Sequence, residues 1–395
     1  MKILIVHNTY QQPGGEDAVV AAESAMLEQN GHNVIRYSRS NDAISGMSIT
    51  KRLLLAKDMI SSEQSKQELH SLLRSERPDL VHVHNFFMMI SPSVFAACRD
   101  TGVPTVHTLH NYRLLCPGWT LSREGNICEE CLEHGLWRGV LHGCYRDSRW
   151  MTAAVVLMLQ THRMNRTWDK SVDGYIALTQ FAREKFVQGG LPASTIHVKP
   201  NFLDFDPGMR SSVGRYMMYV GRLSKEKGVS VLLSSWEKLR TPVSLVIFGD
   251  GPMRAELERE ACSRNLTNIT FAGWRDKETV LTALRDCAAL IVPSVCYEGF
   301  PMTIVESFAC GAPVICSGFG GMAEIVEAGR TGLHFKPGDE SDLASQIDWA
   351  WDHQESLAKM GREARREFER FYTAKTNYRR LMEIYERVIS QAAMN

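Results

Sequence analysis

The sequence has no excess of charge of either sign and no long hydrophobic run. Its 395 residues include 45 Lys and Arg against 45 Asp and Glu, so the formal net charge is zero at pH 7. This balance gives no support to nucleic-acid binding through overall charge. The longest apolar candidate, 151–159, has about half of the roughly 18 uncharged residues that a spanning helix needs. The opening residues 1–7 also lack the apolar region of a signal peptide. We therefore expect a cytoplasmic protein.

Disulfides are not expected, because the ten cysteines would be held as thiols in a reducing compartment. Four of them follow the pattern Cys-x11-Cys-x2-Cys-x12-Cys within a turn-rich insertion at 113–147, namely Cys116, Cys128, Cys131 and Cys144. The central Cys-x2-Cys has the spacing of a zinc knuckle. A structural zinc is one interpretation, and four unlinked thiols or a redox pair are the alternatives.

The chain is long for one domain, and its rhythm of short apolar runs and helical patterns indicates two. Strands are predicted near 2–7, 31–37, 80–84, 105–110 and 173–178, and again near 216–220, 243–248, 269–272, 290–293 and 314–316. Helices are predicted between many of them, and a Pro/Asn/Asp/Gly stretch at 199–208 forms a linker. This β-α-β alternation predicts two doubly wound parallel domains, at 1–200 and 201–372. An amphipathic helix at 373–392 is expected to join the first domain.

Two carboxylates stand eight residues apart across a strand-to-helix junction. Glu298 lies in the loop, and Glu306 lies about two turns into the following helix. Free N–H groups at the start of that helix can receive an anion or sugar oxygens. The alternative is a loop charge followed by a solvated helical glutamate.

Two cations share the loop at 221–228, between a predicted strand and a predicted helix. Arg222 can grip a phosphate with its planar fork, and Lys227 can act as a point charge. Ligands bind at such strand ends in open α/β sheets. A solvated loop with a lysine at the helix start is the alternative.

Two glycine-rich turns also follow predicted strands. Gly249 and Gly251 stand in Gly-Asp-Gly-Pro, but Arg254 occupies the place of the third glycine of a dinucleotide fingerprint, which makes NAD binding a weak hypothesis. The turn at 13–16 includes Gly14 and Gly15, which permit close approach of a substrate to the backbone. A plain tight turn explains 13–16 equally well. Trp274, after the third strand of the second domain, could meet a nucleobase or lie in the core.

Four histidines end two neighbouring predicted strands, namely His82, His84, His107 and His110. A metal site is one interpretation, although no carboxylate cluster in the sequence joins these residues, and a structural role for His82 and His107 is the alternative. Asp204 and Asp206 match the Asp-x-Asp that binds Mn²⁺ or Mg²⁺ in some sugar transferases. They fall in the predicted linker, where turn formation is the better explanation.

Taken together, these motifs resemble glycosyltransferase family 4, whose members are retaining enzymes of the GT-B fold. The resemblance covers nearly the whole length and rests on the 13–16 turn, the His-x-His-Asn at 82–85, Thr-Leu-His at 108–110, Pro-Asn at 200–201, the 221–228 loop, the 249–252 turn and the spacing of the two glutamates. It implies two Rossmann-like domains facing across a cleft. It also implies a hexosyltransferase-type enzyme that needs no divalent metal.

The resemblance assigns roles to matching positions. Arg222 and Lys227 would neutralise the donor diphosphate, Glu306 would bind the donor ribose, and Glu298 would contact the transferred sugar. Backbone groups of Gly249, Gly251, Gly299, Phe300, Met302 and Thr303 would complete the donor site. Gly15 would approach the phosphate, and His110 would lie near the reacting sugar.

The partners that the resemblance implies are a UDP- or GDP-sugar donor and a glycan or lipid-linked acceptor, in surface polysaccharide or glycolipid biosynthesis. A nucleotide-sugar epimerase, a glycan phosphorylase, a non-catalytic nucleotide-sugar-binding protein and an NAD enzyme are the alternatives. A phosphorylase would want a pyridoxal lysine, which the sequence does not identify.

A basic segment at 138–170 interleaves six cations with apolar residues. The cations are Arg138, Arg146, Arg149, Arg163, Arg166 and Lys170, opposed by two aspartates. Such a helix can lie on an anionic membrane surface, which suits a lipid-linked acceptor and predicts a peripheral position at the cytoplasmic face of the membrane. A core helix with a solvated basic face is the alternative.

Overall fold

The computed structural model describes residues 1–10, 14–44 and 57–394. The chain divides into two compact units. Unit 1 comprises Met1–Thr120, Glu129–Asp204 and Ala374–Asn395, and unit 2 comprises Leu121–Cys128 and Phe205–Thr373.

Unit 1 is built on a six-stranded parallel sheet. Its strands are β1 (Lys2–Thr9), β2 (Asn33–Ser40), β3 (Leu80–Asn85), β4 (Thr105–Leu109), β7 (Gly174–Ala177) and β8 (Ile196–Val198). They lie in the order β2-β1-β3-β4-β7-β8, and every neighbouring pair is parallel. The central strands β3, β4 and β7 are wholly buried, as expected of strands covered on both faces.

Helices cover the unit 1 sheet and extend beyond it. They are α1 (Gly15–Gln29), α2 (Glu63–Glu76), α3 (Ser93–Thr101), α4 (Glu130–Glu133), α5 (Trp137–His142), α6 (Arg149–Met164), α7 (Thr167–Lys170), α8 (Gln180–Gln188) and α16 (Ala374–Ala392). The N-terminal caps follow local chemistry, because the side chains of Ser62, Ser148 and Thr179 each accept a hydrogen bond from a first-turn N–H. Leu381 and Val388 of α16 join the apolar core beside the sheet.

Unit 2 repeats the architecture with a different strand order. Its sheet strands are β9 (Met217–Val220), β10 (Leu245–Phe248), β11 (Ile269–Gly273), β12 (Ala289–Val292), β13 (Val314–Ser317) and β14 (Gly332–Phe335), in the order β11-β10-β9-β12-β13-β14. All neighbours are parallel. A short antiparallel pair, β5 (Ser122–Arg123) and β6 (Asn126–Ile127), is counted with this unit.

The helices of unit 2 alternate with its strands. They are α9 (Val229–Trp236), α10 (Arg254–Ser263), α11 (Lys277–Asp286), α12 (Met302–Ala309), α13 (Gly320–Ile325), α14 (Glu340–Asp352) and α15 (Gln354–Phe371). Leu232, Leu257 and Leu343, from three of these helices, meet strand residues such as Met217 and Ile247 in one buried cluster.

Each strand order contains one position where the chain reverses its direction of progress across the sheet. In unit 1 it lies between β1 and β3, and in unit 2 between β9 and β12. Loops diverge at such a switch point and leave a crevice at the carboxyl ends of the strands. The loops that carry Arg222, Lys227 and Glu298 flank the switch point of unit 2.

The predicted fold, two doubly wound parallel domains, is confirmed, but details differ. Strands Ile196–Val198 and Gly332–Phe335 were not predicted. Pro13 of the predicted turn at 13–16 lies outside the described part of the chain. Within the described residues, no helix is long and apolar enough to cross a bilayer.

Candidate active site

The centre of the site in unit 2 is an ion pair across the switch point. Lys227, from the loop after β9, places its Nζ 2.7 and 2.9 Å from the two carboxylate oxygens of Glu298, which follows β12. The Ser294 hydroxyl donates to the same carboxylate at 2.5 Å. The backbone ties these loops together, because the Val295 N–H donates to the Glu226 carbonyl at 2.9 Å. The structure therefore brings together one predicted cation and one predicted carboxylate.

Both members of this pair are held charged. Burial alone would lower the pKa of Lys227, but the Glu298 carboxylate outweighs it and raises that pKa above its ordinary value. Burial would raise the pKa of Glu298, but Lys227 and the Ser294 hydroxyl hold it below its ordinary value. A mutually neutralised pair at a strand end can release its cation to a bound anion while the carboxylate binds hydroxyl groups.

Arg222 lies exposed at the start of the same loop. Among the described residues, its guanidinium makes no ion pair or side-chain hydrogen bond. Its carbonyl accepts a hydrogen bond from the Tyr219 hydroxyl at 3.0 Å, which fixes the backbone at this point. Arg222 thus presents an uncompensated positive charge beside the Lys227–Glu298 pair.

Glu306 lies in the second turn of α12 and is largely shielded from solvent. Burial raises the pKa of its carboxyl, and the charge of Lys277 offsets this only in part. Lys277 was not predicted as a site residue. Lys277 begins α11, far from Glu306 in sequence, and its charge acts on Glu306 only because the fold brings the two residues near each other.

Helix α12 opens without a side-chain cap. Its N-cap residue is Pro301, whose side chain cannot accept a hydrogen bond from the first turn. The first N–H groups of a helix have no intrahelical partner, so those of Met302 and Thr303 remain available to a ligand. Gly299 and Phe300 precede this turn and link it to Glu298.

Two glycines in the site are required by the close approach of the backbone. Gly228 has φ +68°, and a Cβ there would fall 1.9 Å from the Pro293 carbonyl oxygen. Gly249 has φ +137°, and a Cβ there would fall 1.9 Å from the Gly221 oxygen. No side chain fits either position, so the loops after β9, β10 and β12 can meet only at glycine. Gly251 lies in the same turn as Gly249.

Trp274 follows β11 and is 71% exposed. That exposure excludes the core role that was its alternative.

Unit 1 carries a second group of predicted residues at the end of β3 and just after β4. The His84 Nδ1 lies 3.0 Å from the Nε2 of half-buried His110. His107 has a structural contact, since its Nδ1 lies 2.9 Å from the Val83 carbonyl oxygen.

The expectation that no carboxylate joins the histidines is wrong. Glu23 of α1 is buried beside them, with its Oε1 3.0 Å from the His82 Nδ1 and 3.2 Å from the His84 Nε2. Sequence spacing gave no signal for it, because Glu23 lies about sixty residues before the histidines on a helix that crosses the sheet. Of the described residues, these three form the one group whose ligand atoms are close enough to hold a metal ion.

Gly15 begins α1 at the carboxyl end of β1, and a Cβ built on it would meet nothing within 4 Å. The internal packing of unit 1 therefore does not require a glycine there. The adjacent Glu16 accepts a hydrogen bond from the Tyr10 hydroxyl at 2.9 Å. Burial, opposed in part by that bond, raises the pKa of Glu16 to about 8, so this carboxyl is largely protonated at neutral pH.

Asp206 of the Asp-x-Asp motif makes structural contacts. Both Asp206 carboxylate oxygens bond to the Arg365 guanidinium, at 2.7 and 2.5 Å, and the Gly208 N–H donates to the same carboxylate. The Asp206 side chain therefore serves a turn, as the sequence interpretation expected, and also an ion pair within unit 2 that the sequence did not indicate.

Three of the four motif cysteines lie in unit 1 and one, Cys128, in unit 2. The hydrogen bond between Cys116 and Cys131 is the largest factor raising the pKa of Cys131, followed by burial, and Cys144 is near enough to add to it. All ten cysteines are free thiols.

Two curated relatives match less than half of the chain each. They are the O-antigen chain mannosyltransferase C of Escherichia coli, 32% identical over 168 residues, and the D-rhamnosyltransferase of Pseudomonas aeruginosa, 32% identical over 162 residues. The first match covers 42% of this chain and 45% of the relative, and the second covers 40% and 42%. The chain thus spans under half the length of these relatives.

Solved structures match over the whole fold. Anabaena HepE in complex with UDP has a TM-score of 0.69 at 19% identity, covering 97% of this chain and 99% of that one. The sucrose-phosphate synthase of Thermosynechococcus elongatus has a TM-score of 0.74 at 17% identity, covering 99% of each chain. At this identity the likeness shows the GT-B type of fold alone.

Two family descriptions match consecutive parts of the chain. Glycosyltransferase Family 4 matches residues 13–207, and Glycosyl transferases group 1 matches residues 210–367. The boundary between the matches coincides with the passage from unit 1 to unit 2 after Asp204. The first half of the chain therefore belongs to Glycosyltransferase Family 4 and the second half to the group 1 glycosyl transferases.

Proposed function

We propose that this protein is a retaining, metal-independent hexosyltransferase that moves a sugar from a UDP- or GDP-sugar to a glycan or lipid-linked acceptor. The proposal places it in surface polysaccharide or glycolipid biosynthesis. Similarity to an O-antigen mannosyltransferase and to a lipopolysaccharide N-acetylglucosaminetransferase supports a role in polysaccharide biosynthesis.

The observation that carries the proposal is the Lys227–Glu298 pair at the switch point of unit 2, with Arg222 exposed beside it. A nucleotide-sugar offers two anionic phosphates and, next to them, a ring of hydroxyl groups. Two cations and a half-buried carboxylate on adjoining loops match that arrangement of phosphates and hydroxyl groups. Glu306, deeper on α12, is suited to the hydroxyls of the ribose.

The reaction breaks the bond between the anomeric carbon and the diphosphate oxygen and forms a bond to the acceptor oxygen. Negative charge grows on the departing diphosphate, and the acceptor hydroxyl gives up its proton to it. In this proposal Arg222, Lys227 and the free N–H groups of α12 face the departing diphosphate and stabilise its growing charge, which lowers the barrier. In this proposal no side chain acts as a covalent nucleophile, so attack occurs on the face that the diphosphate leaves and the configuration is retained.

Fixed cations also support the proposal that no divalent ion is needed. Arg222 is uncompensated among the described residues, and Lys227 adds a second positive charge, the same total as one Mg²⁺, when Glu298 turns from Lys227 to the hydroxyls of the sugar. Asp206 of the Asp-x-Asp motif is bound to Arg365 and is not free to hold an ion.

The test is a transfer assay with UDP-, GDP- and ADP-sugars and a panel of glycan and lipid-linked acceptors, with and without EDTA. We expect release of one nucleoside diphosphate, unchanged rates in EDTA, and a product with the donor's anomeric configuration by NMR. An inverted product or full loss of rate in EDTA would refute the finer assignment. Conversion of the donor to an isomeric nucleotide-sugar without an acceptor would favour an epimerase, and binding without turnover would favour a non-catalytic protein.

We further propose that unit 1 meets the anionic surface of a membrane through helices α5 and α6. Trp150, Leu157 and Met164 recur every seven residues on α6 and are 88%, 56% and 82% exposed. Trp137 of the neighbouring α5 is also exposed, and Arg149 stands next to Trp150. An exposed apolar stripe edged with cations suits an interface rich in acidic lipids.

Vesicle co-sedimentation tests this surface. Wild-type protein should sediment with vesicles containing phosphatidylglycerol and remain in solution with phosphatidylcholine alone. Trp150→Glu should weaken that binding, because it puts a negative charge in the stripe. Met394→Glu is a matched control, since Met394 is equally exposed but lies outside α5 and α6. Equal sedimentation of both variants would refute the proposal that α5 and α6 form a membrane-binding surface.

A further inference from the structure

Half-buried His110, just after β4, is backed by two buried side chains in series. Its Nε2 lies 3.0 Å from the Nδ1 of His84, and the Nε2 of His84 lies 3.2 Å from the Oε1 of Glu23. Glu23 and His84 are nearly inaccessible to solvent. Side chains from α1, β3 and the end of β4 thus form one line that leads from the interior to the surface.

The inner end of this line is an ionised carboxylate. Burial alone would raise the pKa of Glu23, but Lys199 and His82 outweigh it and hold the pKa well below its usual range. The Lys199 Nζ donates to Glu23 at 3.0 Å and to the Asn377 side-chain oxygen at 3.0 Å, and both Lys199 and Asn377 are buried.

The same contacts explain why this cluster is not proposed as a metal site. Its positive charge is already present as the Lys199 ammonium. His82 is also committed elsewhere, with its Nε2 2.7 Å from the Thr108 hydroxyl and its Nδ1 2.7 Å from the Tyr385 hydroxyl.

The order of the contacts determines which nitrogen of each ring carries the proton. Burial lowers the pKa of His84 to about 3 and that of His110 well below its usual value, so both rings are neutral near pH 7. A carboxylate can only accept, so the single proton of His84 belongs on the Nε2 that faces Glu23. The Nε2–H of His84 does not point directly at the Oε1 of Glu23, and neither atom has another hydrogen-bond partner among the described residues. The opposite tautomer would place the Nε2 lone pair of His84 against the buried Glu23 carboxylate. His84 Nδ1 is then an acceptor, and His110 must donate to it from Nε2.

The Nδ1 of His110 is consequently a lone pair. Within the described residues no group bonds to this Nδ1. It is not one of the buried atoms that lack a partner, so it is open to solvent. A hydroxyl group is the substrate donor that fits this acceptor.

We propose that Glu23 and His84 are positioning residues that fix His110 as its Nε2–H tautomer, so that its Nδ1 accepts a hydrogen bond from a hydroxyl of the bound sugar. The part that concerns the sugar rests on the proposed function. The part that concerns the tautomer does not, because it follows from contacts within unit 1.

The experiment is ¹⁵N NMR of the histidine side chains in the full chain, with His110 assigned by loss of its signals in His110→Gln. We expect His110 protonated at Nε2 and bare at Nδ1 near pH 7. His84→Asn should preserve this state, since its side-chain oxygen can stand in for Nδ1. His84→Leu should mix the tautomers and reduce kcat about tenfold with little change in KM, the effect of one ordinary hydrogen bond.

Tyr385→Phe is the control, because it removes a hydroxyl from the same buried network without touching His84 or His110. It should leave both the tautomer and kcat unchanged. A wild-type His110 protonated at Nδ1 overturns the proposal even if His84→Leu does not fold. A folded His84→Leu protein with wild-type tautomer and kcat also overturns it. The expected tautomer without any sugar transfer would instead count against the proposed function alone.

Discussion

At the scale of single residues, the loop at 221–228 contains cations that differ in what they contact. Lys227 is drawn into the ion pair with Glu298, Arg222 is exposed and unpaired among the described residues, and Lys225 is exposed on the same loop. If Lys227 and Arg222 stabilise the departing diphosphate, Lys225 is a control residue of equal charge that lacks this role.

We therefore expect Lys227→Ala and Arg222→Ala each to lower turnover by ~10² to 10³, the usual effect of losing one fixed donor to developing charge. Lys225→Ala should retain turnover within a few-fold. Initial rates at saturating donor, with circular dichroism to verify folding, measure the difference. Near-normal turnover of both the Lys227 and Arg222 variants would remove the diphosphate assignment.

At the scale of elements, β3 and β4 bury histidines that cannot easily accept a second proton. Burial lowers the pKa of His107 to about 4, although its bond to the Val83 carbonyl opposes this. In the unfolded chain the same ring titrates near its ordinary value of about 6.5. Between those values the unfolded chain binds more protons, so stability falls as the pH falls.

We expect the free energy of unfolding to decrease from pH 7 to pH 5, with His107 contributing up to about 1.4 kcal/mol per pH unit below its unfolded pKa. His107→Asn, whose amide can still donate to Val83, should flatten that dependence. Urea unfolding at the two pH values measures it, with exposed His134→Asn as the control. An identical slope in wild type and His107→Asn would contradict the assignment.

The cysteine insertion is a second element with a definite test. Thiols that share a hydrogen bond, as Cys116 and Cys131 do, lose their protons together when a zinc ion binds. Among the described residues the sulfurs of this motif are not gathered closely enough to hold an ion, so zinc binding would require the thiols to draw together. If it occurs, elemental analysis of purified protein should give about one zinc per chain, lost in Cys131→Ser and kept in Cys98→Ser, which lies outside the insertion. Absence of zinc with all thiols freely titratable would end this hypothesis.

The sequence predicted the strands of both sheets best where they are buried on both faces, as in β3 and β12. It also indicated the loops after β9 and β12, because Arg222, Lys227 and Glu298 stand at strand ends. It could not indicate Glu23 or Lys277, whose partners lie far away along the chain. Edge strands β8 and β14 have three and four residues, too few for a clear alternation.

At the scale of the whole molecule, unit 1 is discontinuous in sequence. Helix α16 supplies Asn377 to Lys199 and Tyr385 to His82, and its Val388 packs against the Gly174 backbone. The helix therefore completes a core that already contains a buried cation.

Deletion of 374–395 should make unit 1 protease-sensitive, because Lys199 would lose Asn377 while remaining buried and the apolar face of the sheet would lie open. Residues 205–373 should remain resistant, since they retain their own core. Limited proteolysis with mass spectrometry measures this, with deletion of 393–395 as the control. Equal resistance of the two units in the longer deletion would contradict it.

The same discontinuity sets an order of events during translation. Unit 2 is synthesised in full before the ribosome reaches α16, so it can fold as an independent insert while unit 1 still waits for its final helix. Until then Glu23 and Lys199 lie in an unfinished, water-accessible core, and the histidine line behind His110 has no fixed shape. His110, the proposed sugar contact, is thus organised only after unit 2, the proposed nucleotide-binding unit, has formed.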